Sequence, residues 1–438
     1  MFETIKNAWS IKELRHKILF TLLILLITRI GMGTITVPYV NPEAVGLIFN
    51  STGNQFFGYL NLLSGGAFQS MTLFAMSITP YINASIIVQL LTIAIPALEK
   101  MVKEGGEEGR KKQAALTRYV TVIIGLIQGF AYFMAIRNME VTLNDGSVIK
   151  VLEDPNVWKA FAIIASFVAG SAIIMWLGEQ ITTYGIGNGI SMILFAGIVS
   201  RVPATVGTMY SNLVAGTMKW WMVLLVVVGV LALLALIVFV SDAERRIPVQ
   251  YAKRQVGRKM YGGQSSTLPM KVSMAGVLPV IFAQSIAMIP STIAAFFKAP
   301  EEGTFWYGFL QFIDTKSFAY MVVYFMLIIA FSYFYSTIQF NPVEISNNLK
   351  KNGGFIPGFR PGKPTADFIK KVLNKVTLFG AVYLGVVAIL PLVLGMVIKN
   401  DGLSIGGTSV IIVVGVALET VQALESQMLM RQYKGFLE

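Results

Sequence analysis

Cysteine is absent from the 438-residue chain, and histidine occurs once, at His16. Without cysteine the chain can form neither disulfides nor thiolate metal sites. A single histidine cannot supply the sets of imidazole ligands that zinc sites use. We therefore expect no metal site, and the sequence gives no sign of a cofactor.

Sequence signatures of catalysis are missing as well. No stretch has the form G-x-x-x-x-G-K-[ST], so we do not expect the chain to hydrolyse nucleotides. A protease inside a membrane needs a base beside its nucleophile or a metal-bound water, and the apolar runs of this chain offer neither. The chain is therefore not expected to be an enzyme, and an intramembrane enzyme is only the third alternative for its function.

Charged residues are scarce, at 13% of the chain, about half their share in soluble domains. Hydrophobic residues make up 55% and gather in runs long enough to cross a bilayer, which takes roughly 20 residues per helix. These runs predict one membrane-inserted bundle. Its ten spans are expected near residues 18–37, 71–95, 119–136, 160–177, 186–200, 220–241, 273–297, 318–340, 376–398 and 403–424.

Lysine and arginine are distributed unevenly among the eleven stretches outside these runs. Five stretches hold 26 of the 35 basic residues, namely 1–17, 100–118, 245–271, 350–375 and the C-terminal tail. Because basic residues resist translocation, these five stretches mark the cytoplasmic face, and both termini are predicted to lie there. The basic loops are large enough to dock a partner.

Acidic residues near the spans lie toward the predicted cytoplasmic ends, as Glu179, Glu419 and Glu425 do. Proton-coupled carriers usually bury acidic residues or histidine at mid-membrane, so the pattern argues against such a carrier. A carrier driven by sodium through backbone carbonyls is still compatible with it. A secondary transporter of a small solute is therefore the alternative function.

Two features of the first span and its flank are unusual. Residues 1–17 predict an amphipathic helix. In one interpretation its Trp9, Ile11 and Leu14 rest on the membrane interface, and in the other, which we favour, the segment is a simple topology anchor. Arg29 lies inside the first span and is expected to snorkel or to point into the bundle. We assign Arg29 no function from the sequence.

The external segment 38–70 contains no lysine or arginine. Its apolar stretch is broken by Gly65 and Gly66 and is too short to span, which indicates a re-entrant piece. The span that follows carries a polar face. That face suits a cavity lining and ordinary hydrogen bonding between helices equally well.

The two longest basic loops differ in texture. Around Val249 the first loop predicts a strand, with a glycine turn after it. The second loop predicts a helix through Lys351, followed by a turn-rich tip of glycine and proline around Arg360. A proline-fixed tip with one exposed arginine is more typical of a docking finger than of a linker.

Eleven motifs are distributed along the chain in an order that carries a family resemblance. They are NLLSGGA (61–67), ITPYINASI (78–86), WLGEQI (176–181), GIGNGIS (185–191), YAKRQ (251–255), LPMKV (268–272), MAGV (274–277), IFA (281–283), NP with NLKK (341–351), FIPGFRPG (355–362) and GGTS (406–409). Together they resemble the SecY family, the central subunits of the bacterial Sec translocon. The resemblance runs from about residue 10 to residue 434 without a missing span.

The resemblance implies an all-α polytopic membrane protein. Ten transmembrane helices would form two inverted five-helix halves around a central hourglass pore, with a short re-entrant plug helix. The implied boundaries are 1–17 for the cytoplasmic N-terminus, 18–200 for the first half with a plug at 56–69, 201–424 for the second half with basic cytoplasmic loops 242–272 and 341–375, and 425–438 for the cytoplasmic tail.

The resemblance also implies positions for the functional parts. An apolar pore ring is expected at Ile78, Ile82, Ile190, Leu194, Ile281 and Ile412. Plug residues are expected at Leu60, Leu63, Gly65 and Gly66. Spans two and seven would form a lateral gate with Asn83, Gln89, Ser273 and Gln284. Docking residues are expected at Arg245, Arg246, Lys253, Arg254, Arg258 and Arg360.

The function implied by the resemblance is a protein-conducting channel in the bacterial cytoplasmic (inner) membrane. Such a channel passes unfolded secretory polypeptides and releases transmembrane segments sideways into lipid. The implied partners are the SecE and SecG subunits, the motor ATPase SecA, the ribosome through its RNA, signal peptides with unfolded preproteins, and membrane lipid.

Overall fold

The computed structural model describes most of the chain. The described residues are 2–51, 61, 64–137, 140–142, 148–152, 156–216, 218–251, 254–256, 259–261, 265–272, 276–287, 289–290, 304, 308–309, 312, 317–398 and 407–434. Their helices are α1 (Phe2–Ser10), α2 (Lys12–Thr34), α3 (Pro42–Ser51), α4 (Thr79–Ala94), α5 (Pro96–Glu104), α6 (Gly106–Arg137), α7 (Val157–Tyr184), α8 (Gly189–Val199), α9 (Val202–Val214), α10 (Trp220–Ser241), α11 (Leu278–Ala287), α12 (Phe318–Gln339), α13 (Pro342–Lys351), α14 (Lys363–Ile398) and α15 (Gly407–Lys434).

Short strands accompany the helices. They are β1 (Glu140–Thr142), β2 (Val148–Lys150), β3 (Glu244–Tyr251), β4 (Arg254–Val256), β5 (Lys259–Tyr261), β6 (Ser265–Lys271) and β7 (Gly354–Phe355). Among the described residues, eight helical stretches are long and apolar enough to cross a membrane. They coincide with the predicted spans other than the second and seventh. The chain is a multi-pass, largely helical membrane protein.

The second span begins later than predicted. Its helix α4 starts at Thr79, because residues 71–78 form turns and Pro80 lies in the first helical turn. The backbone at 71–73 is bonded elsewhere: the Val37 amide donates to the Met71 carbonyl, and the Leu73 amide donates to the Ile35 carbonyl. The chain then bends by 99° between α4 and α5.

The seventh span is described over part of its length. Helix α11, Leu278–Ala287, falls inside the predicted stretch 273–297. Residues 273–275, 288 and 291–300 lie outside the described residues. The length of this span therefore stays a prediction.

The N-terminal segment packs on the protein. Leu14 is buried in a cluster with Ile186 and Leu424, so the interpretation that it rests on the membrane interface was wrong. Helix α1 contacts α15, where the Thr4 hydroxyl donates a 3.1 Å hydrogen bond to the Glu425 carboxylate. A periodic apolar face can be buried in lipid or in protein, and the pattern alone does not distinguish the two.

The two basic loops contribute strands to one sheet, a pairing that the sequence did not indicate. Strand β3 pairs antiparallel with β6 along its length and with β7 at its end, giving the order β6–β3–β7. Ile247 and Val249 alternate with exposed residues along β3 and are buried with Met270 and Ile356. The second loop is thereby attached to the first through a shared hydrophobic cluster.

The largest hydrophobic cluster joins residues from the beginning and the end of the chain. It contains Ile24 of α2, Leu194 of α8, Val280 of α11, Tyr324 of α12 and Ile412 of α15. Helix α15 packs against both α8 and α14. The core therefore connects the segments that the resemblance assigns to two separate halves.

Candidate functional site

The six predicted ring residues are brought together in that largest cluster. Ile78, Leu194 and Ile412 are buried within it, and Ile82, Ile190 and Ile281 are half-buried and packed against it. They come from α8, α11, α15 and the start of α4, elements that are far apart in sequence. We call these six the ring residues. Their role as a pore constriction stays a prediction.

The position of Ile190 is set by the turn before α8. The Asn188 side chain caps the helix by accepting hydrogen bonds from the amides of Ile190 and Ser191. This turn also lies tightly on α7, because a Cβ atom on Gly189 would be 2.0 Å from the Gly178 carbonyl oxygen. The glycine-rich segment thus allows a close approach of two helices, because glycine has no Cβ atom.

The predicted plug is described at Asn61 and at residues 64–70, which form turns. Gly65 and Gly66 have φ values of +63° and +96°, a region that favours glycine. Asn61 accepts hydrogen bonds on its backbone and side chain, from the Gly66 amide at 2.8 Å and the Gln69 amide at 3.0 Å. Ala67 is fully buried and belongs to the same cluster as the ring residues. Leu60 and Leu63 lie outside the described residues.

Sequence reasoning assigned no function to Arg29, which the structure connects to the predicted plug. Its guanidinium Nη1 donates a 2.6 Å hydrogen bond to the backbone carbonyl of Gly65. The contact joins positions 36 apart in sequence. The charge inside an apolar run was the available signal, but the partner is a backbone atom, which no sequence pattern marks.

The predicted lateral-gate residue Gln89 has its hydrogen-bond partner within α4. Gln89 donates to the Ser85 hydroxyl on its own helix at 3.3 Å, since a glutamine reaches the residue four positions earlier. Within the described residues no side-chain hydrogen bond joins α4 to α11, which touch each other. Asn83 and Gln284 are half-buried, and Ser273 lies outside the described residues. The assignment of these four residues to a lateral gate stays a prediction.

The apolar residues of α4 and α11 are the ones that share a cluster. Val280 and Ala283 of α11 belong to the largest hydrophobic cluster, and Ile82 of α4 packs against it. The polar face of α4 also bonds to α6, where the Gln113 amide group donates to the Thr92 hydroxyl at 3.4 Å. Ordinary bonding within and between neighbouring helices thus accounts for part of that polar face.

Two of the predicted docking arginines lie on the shared sheet. Arg245 and Arg246 are exposed on β3, and the Arg246 guanidinium pairs with Glu244 at 2.6 Å. Arg254 lies in β4, and nothing is described of its side chain. Lys253 and Arg258 lie outside the described residues.

Arg360 is exposed on a turn, residues 356–362, that we call the cytoplasmic tip after the membrane face on which the sequence predicts it. Two hydrogen bonds hold the far end of this tip. The Thr365 hydroxyl donates to the Arg360 carbonyl at 2.8 Å, and the Ser346 hydroxyl donates to the Gly362 carbonyl at 2.7 Å. Gly358 and Gly362 have φ values of +88° and +107°, so the sharp turns depend on glycine.

The base of the cytoplasmic tip is fixed by packing. Ile356 is 2% exposed in the cluster beneath the sheet, and the Phe359 ring stacks on Phe368 with centroids 4.2 Å apart.

Carboxylates lie beside the basic residue Lys103 of α5. The hydrogen bond and the charge of Glu99 raise the pKa of Lys103, and the charge of Glu344 in α13 adds to the shift. The basic surface is therefore interspersed with carboxylates.

Comparison with known proteins adds family evidence. The profile of the SecY family matches residues 72–421. Protein translocase subunit SecY of Streptomyces scabiei is 42% identical over 444 residues, and the match covers 100% of both chains. The protein of the same name from Bacillus subtilis is 44% identical over 448 residues, again with complete coverage of both.

Solved structures support the same fold at lower identity. A SecY protein whose plug domain is described as stabilising the closed channel gives a TM-score of 0.66 at 19% identity, covering 94% of this chain and 92% of that one. A second structure, described as a protein conducting channel, gives 0.64 at 18% identity with the same coverage. The channel protein in a canine ribosome–channel complex gives 0.60 at 17% identity, also with that coverage.

Proposed function

The chain belongs to the SecY family, and on that premise we propose that it forms a protein-conducting channel. It passes unfolded secretory polypeptides across the membrane and releases transmembrane segments into lipid. The observation that carries the proposal is the convergence of the six ring residues, from four distant elements, in one apolar cluster. The channel itself is not an enzyme, so the energy for transport comes from a partner.

The ring residues suit a constriction that opens for many different polypeptides. When the channel is idle, a narrow aliphatic passage excludes water and ions by dewetting. When a chain passes, the aliphatic side chains offer it no hydrogen-bonding group, so no particular sequence is held. Ile78 and Ile82 lie four residues apart, as do Ile190 and Leu194, so each pair presents one face of a helix or its first turn.

The plug, residues 56–69, closes the idle pore against the ring. Burial of Ala67 among the ring cluster supports this role, because it brings the plug segment to the ring residues. Gly65 and Gly66 act as the joint about which the plug moves. The plug lacks lysine and arginine, so the free-energy cost of moving it outward is low.

The lateral gate runs between α4 and α11, one from each of the proposed halves 18–200 and 201–424. Val280 and Ala283 of α11 belong to the largest hydrophobic cluster, and Ile82 of α4 packs against the same cluster. When the gate opens, an incoming signal sequence covers the apolar surface that the two helices expose. The total buried apolar area therefore changes little. Asn83, Gln89, Ser273 and Gln284 would meet the passing segment once the gate has parted.

Partners bind the cytoplasmic face through the sheet and the cytoplasmic tip. Arg245, Arg246, Lys253, Arg254, Arg258 and Arg360 contact SecA or ribosomal RNA there, and exposure of the described members supports this assignment. Contacts of this kind to RNA weaken as salt rises. SecE and SecG complete the complex, which resides in the bacterial inner membrane with both termini of this chain in the cytoplasm.

The test is transport of a preprotein into vesicles. The full chain is co-reconstituted with SecE and SecG, and SecA, ATP and an unfolded preprotein with a signal sequence are added. We expect preprotein that is protected from external protease, and none when ATP or SecA is omitted. A secondary transporter would instead give saturable uptake of a small solute without SecA. Absence of protected preprotein, with a known translocase active in parallel, would overturn the proposal.

A further inference from the structure

The contact between Arg29 and Gly65 connects a transmembrane helix to the plug. The donor is the guanidinium of Arg29 near the outer end of α2, and the acceptor is the Gly65 backbone carbonyl, 2.6 Å away. Hydrogen bonds with a charged donor are roughly twice as strong as neutral ones. One side chain of the first span therefore reaches directly to the joint of the plug.

The Gly65 carbonyl is free for this contact because its local partner is engaged elsewhere. In a regular helix this oxygen would accept from the amide of residue 69. Here the Gln69 amide donates to the Asn61 side chain, and Gly65 and Gly66 are both left-handed, which interrupts a helix. Arg29 thus satisfies an oxygen that the plug's own backbone leaves available.

Gly65 also lies close to α8. A Cβ atom placed on Gly65 would lie 3.0 Å from the Gly197 Cα atom, in the helix that carries two ring residues, Ile190 and Leu194. Gly65 itself is buried, and so are the neighbouring Ala67 and Phe68. The joint is therefore seated between α2 and α8, and a side chain at position 65 would not fit there.

The charge around Arg29 makes the contact releasable. In the part of the chain that the structure describes, no ion pair joins Arg29 to a carboxylate. Arg201 lies close enough for the two like charges to interact, and the Arg29 residue keeps an exposed surface. Water can replace the Gly65 carbonyl when the plug moves, so the bond is reversible.

We propose that Arg29 is a positioning residue that latches the plug in the closed state through the Gly65 carbonyl. The inference rests on the proposed channel function, to which it adds a residue and a contact. An entering chain must break this hydrogen bond before the plug can leave. Loss of the donor therefore favours the open plug roughly tenfold or more, the range expected for a hydrogen bond to a charged group.

The absence of cysteine makes a direct test possible, because one introduced thiol is the only one in the chain. Ala67→Cys places it on the buried plug, and its reaction with a membrane-impermeant maleimide reports plug opening. Arg29→Met in this background should raise the reaction rate about tenfold or more. The matched control Arg201→Met removes a nearby cation and leaves the bond intact, and should stay within about twofold. Equal rates in all three proteins would overturn the latch.

Chemical rescue separates the latch from a folding defect, because it starts from one folded variant. Arg29→Cys without other cysteines is reconstituted and its idle ion conductance measured. A methanethiosulfonate carrying a guanidinium group should restore low conductance, whereas neutral methyl methanethiosulfonate should not. Restoration by both reagents, or by neither, would contradict the proposal.

Deletion of residues 56–69 distinguishes failure of the latch from failure of the channel function. If that deletion conducts ions and Arg29→Met stays closed, the latch alone is wrong. If the deletion also fails to conduct, the proposed plug and channel are wrong together.

Discussion

The ring residues and the cytoplasmic tip both adjoin buried hydrophobic clusters, but they are held in different ways. The ring residues come from four elements and meet through dispersion contacts, which have no preferred direction. The cytoplasmic tip is one short segment whose end is held by hydrogen bonds from Ser346 and Thr365. A part that must open repeatedly can use contacts that re-form in many arrangements. A part that must be recognised needs one arrangement, and the tip has it.

We expect the largest effect, a rise in idle ion conductance, when ring side chains are removed. Replacing Ile78, Leu194 and Ile412 together by glycine removes the three ring side chains that are fully enclosed. Water then enters the constriction, and we expect idle ion conductance in planar bilayers to rise on the order of a hundredfold, because dewetting no longer closes the passage. Docking of SecA should be unaffected.

A matched control checks that glycine alone does not cause the leak. Leu224, Val228 and Leu231 are exposed aliphatic residues on α10, and the same three replacements there remove a similar volume from the outside of the bundle. This control should stay closed to ions. A leak of equal size in the control would show that general loosening, and not the ring, had been measured.

A charge reversal on the cytoplasmic tip should affect docking without affecting closure. Arg360→Glu replaces the exposed cation of the tip, and we expect SecA-driven translocation to fall about tenfold, since attraction becomes repulsion at the contact. Idle conductance should equal that of the parent. The control for total charge is Lys219→Glu, which should translocate normally. Lys219 immediately precedes α10, at the end of that helix away from β3. Normal translocation by Arg360→Glu would remove the tip from the docking surface.

A smaller effect is expected when the base of the cytoplasmic tip is loosened. Ile356→Ala shortens a side chain that is 2% exposed, which costs about 2–5 kcal/mol in a well-packed core. We expect faster hydrogen exchange at the amides of β3 and β7 and a several-fold loss of translocation, with closure unchanged. Val343→Ala, at an exposed position on α13, should change neither measurement. Unchanged exchange in Ile356→Ala would mean that packing does not fix the tip.

The sequence was most informative where one property repeats along many residues. The apolar runs predicted the spans, and the basic loops indicated the face on which α13 and β3 extend. It was least informative where a contact joins distant positions. Composition alone would assign Ile78 and Ile412 to ordinary packing, and only the family motifs suggested a ring.

The features that the sequence did not indicate have the same physical origin. The start of α4 depends on hydrogen bonds between residues 71–73 and 35–37, which no local pattern shows. The union of the two basic loops depends on a pairing between Gln250 and Phe355 that is likewise non-local. The partner of Gln89 on α4 is Ser85 within its own turn, and the place of Gln89 at the lateral gate stays a prediction.

The smallest expected effect is the sharpest test of how the ring closes. Ile82 is half-buried, and Ile82→Val removes one methylene and keeps an aliphatic, branched side chain. If closure depends on dewetting, conductance and translocation should both stay within about twofold of the parent, because the passage stays apolar. Ile78→Val is the matched variant at a position with no exposed surface. Ile78→Val should lower the free energy of unfolding by about 0.5–1.5 kcal/mol, which is more than the loss in Ile82→Val. The channel of this variant should also stay closed to ions. A large ion leak in either variant would mean that the ring closes by close packing of its side chains, as a protein core does. The ring residues and the cytoplasmic tip would then no longer differ in how they are held.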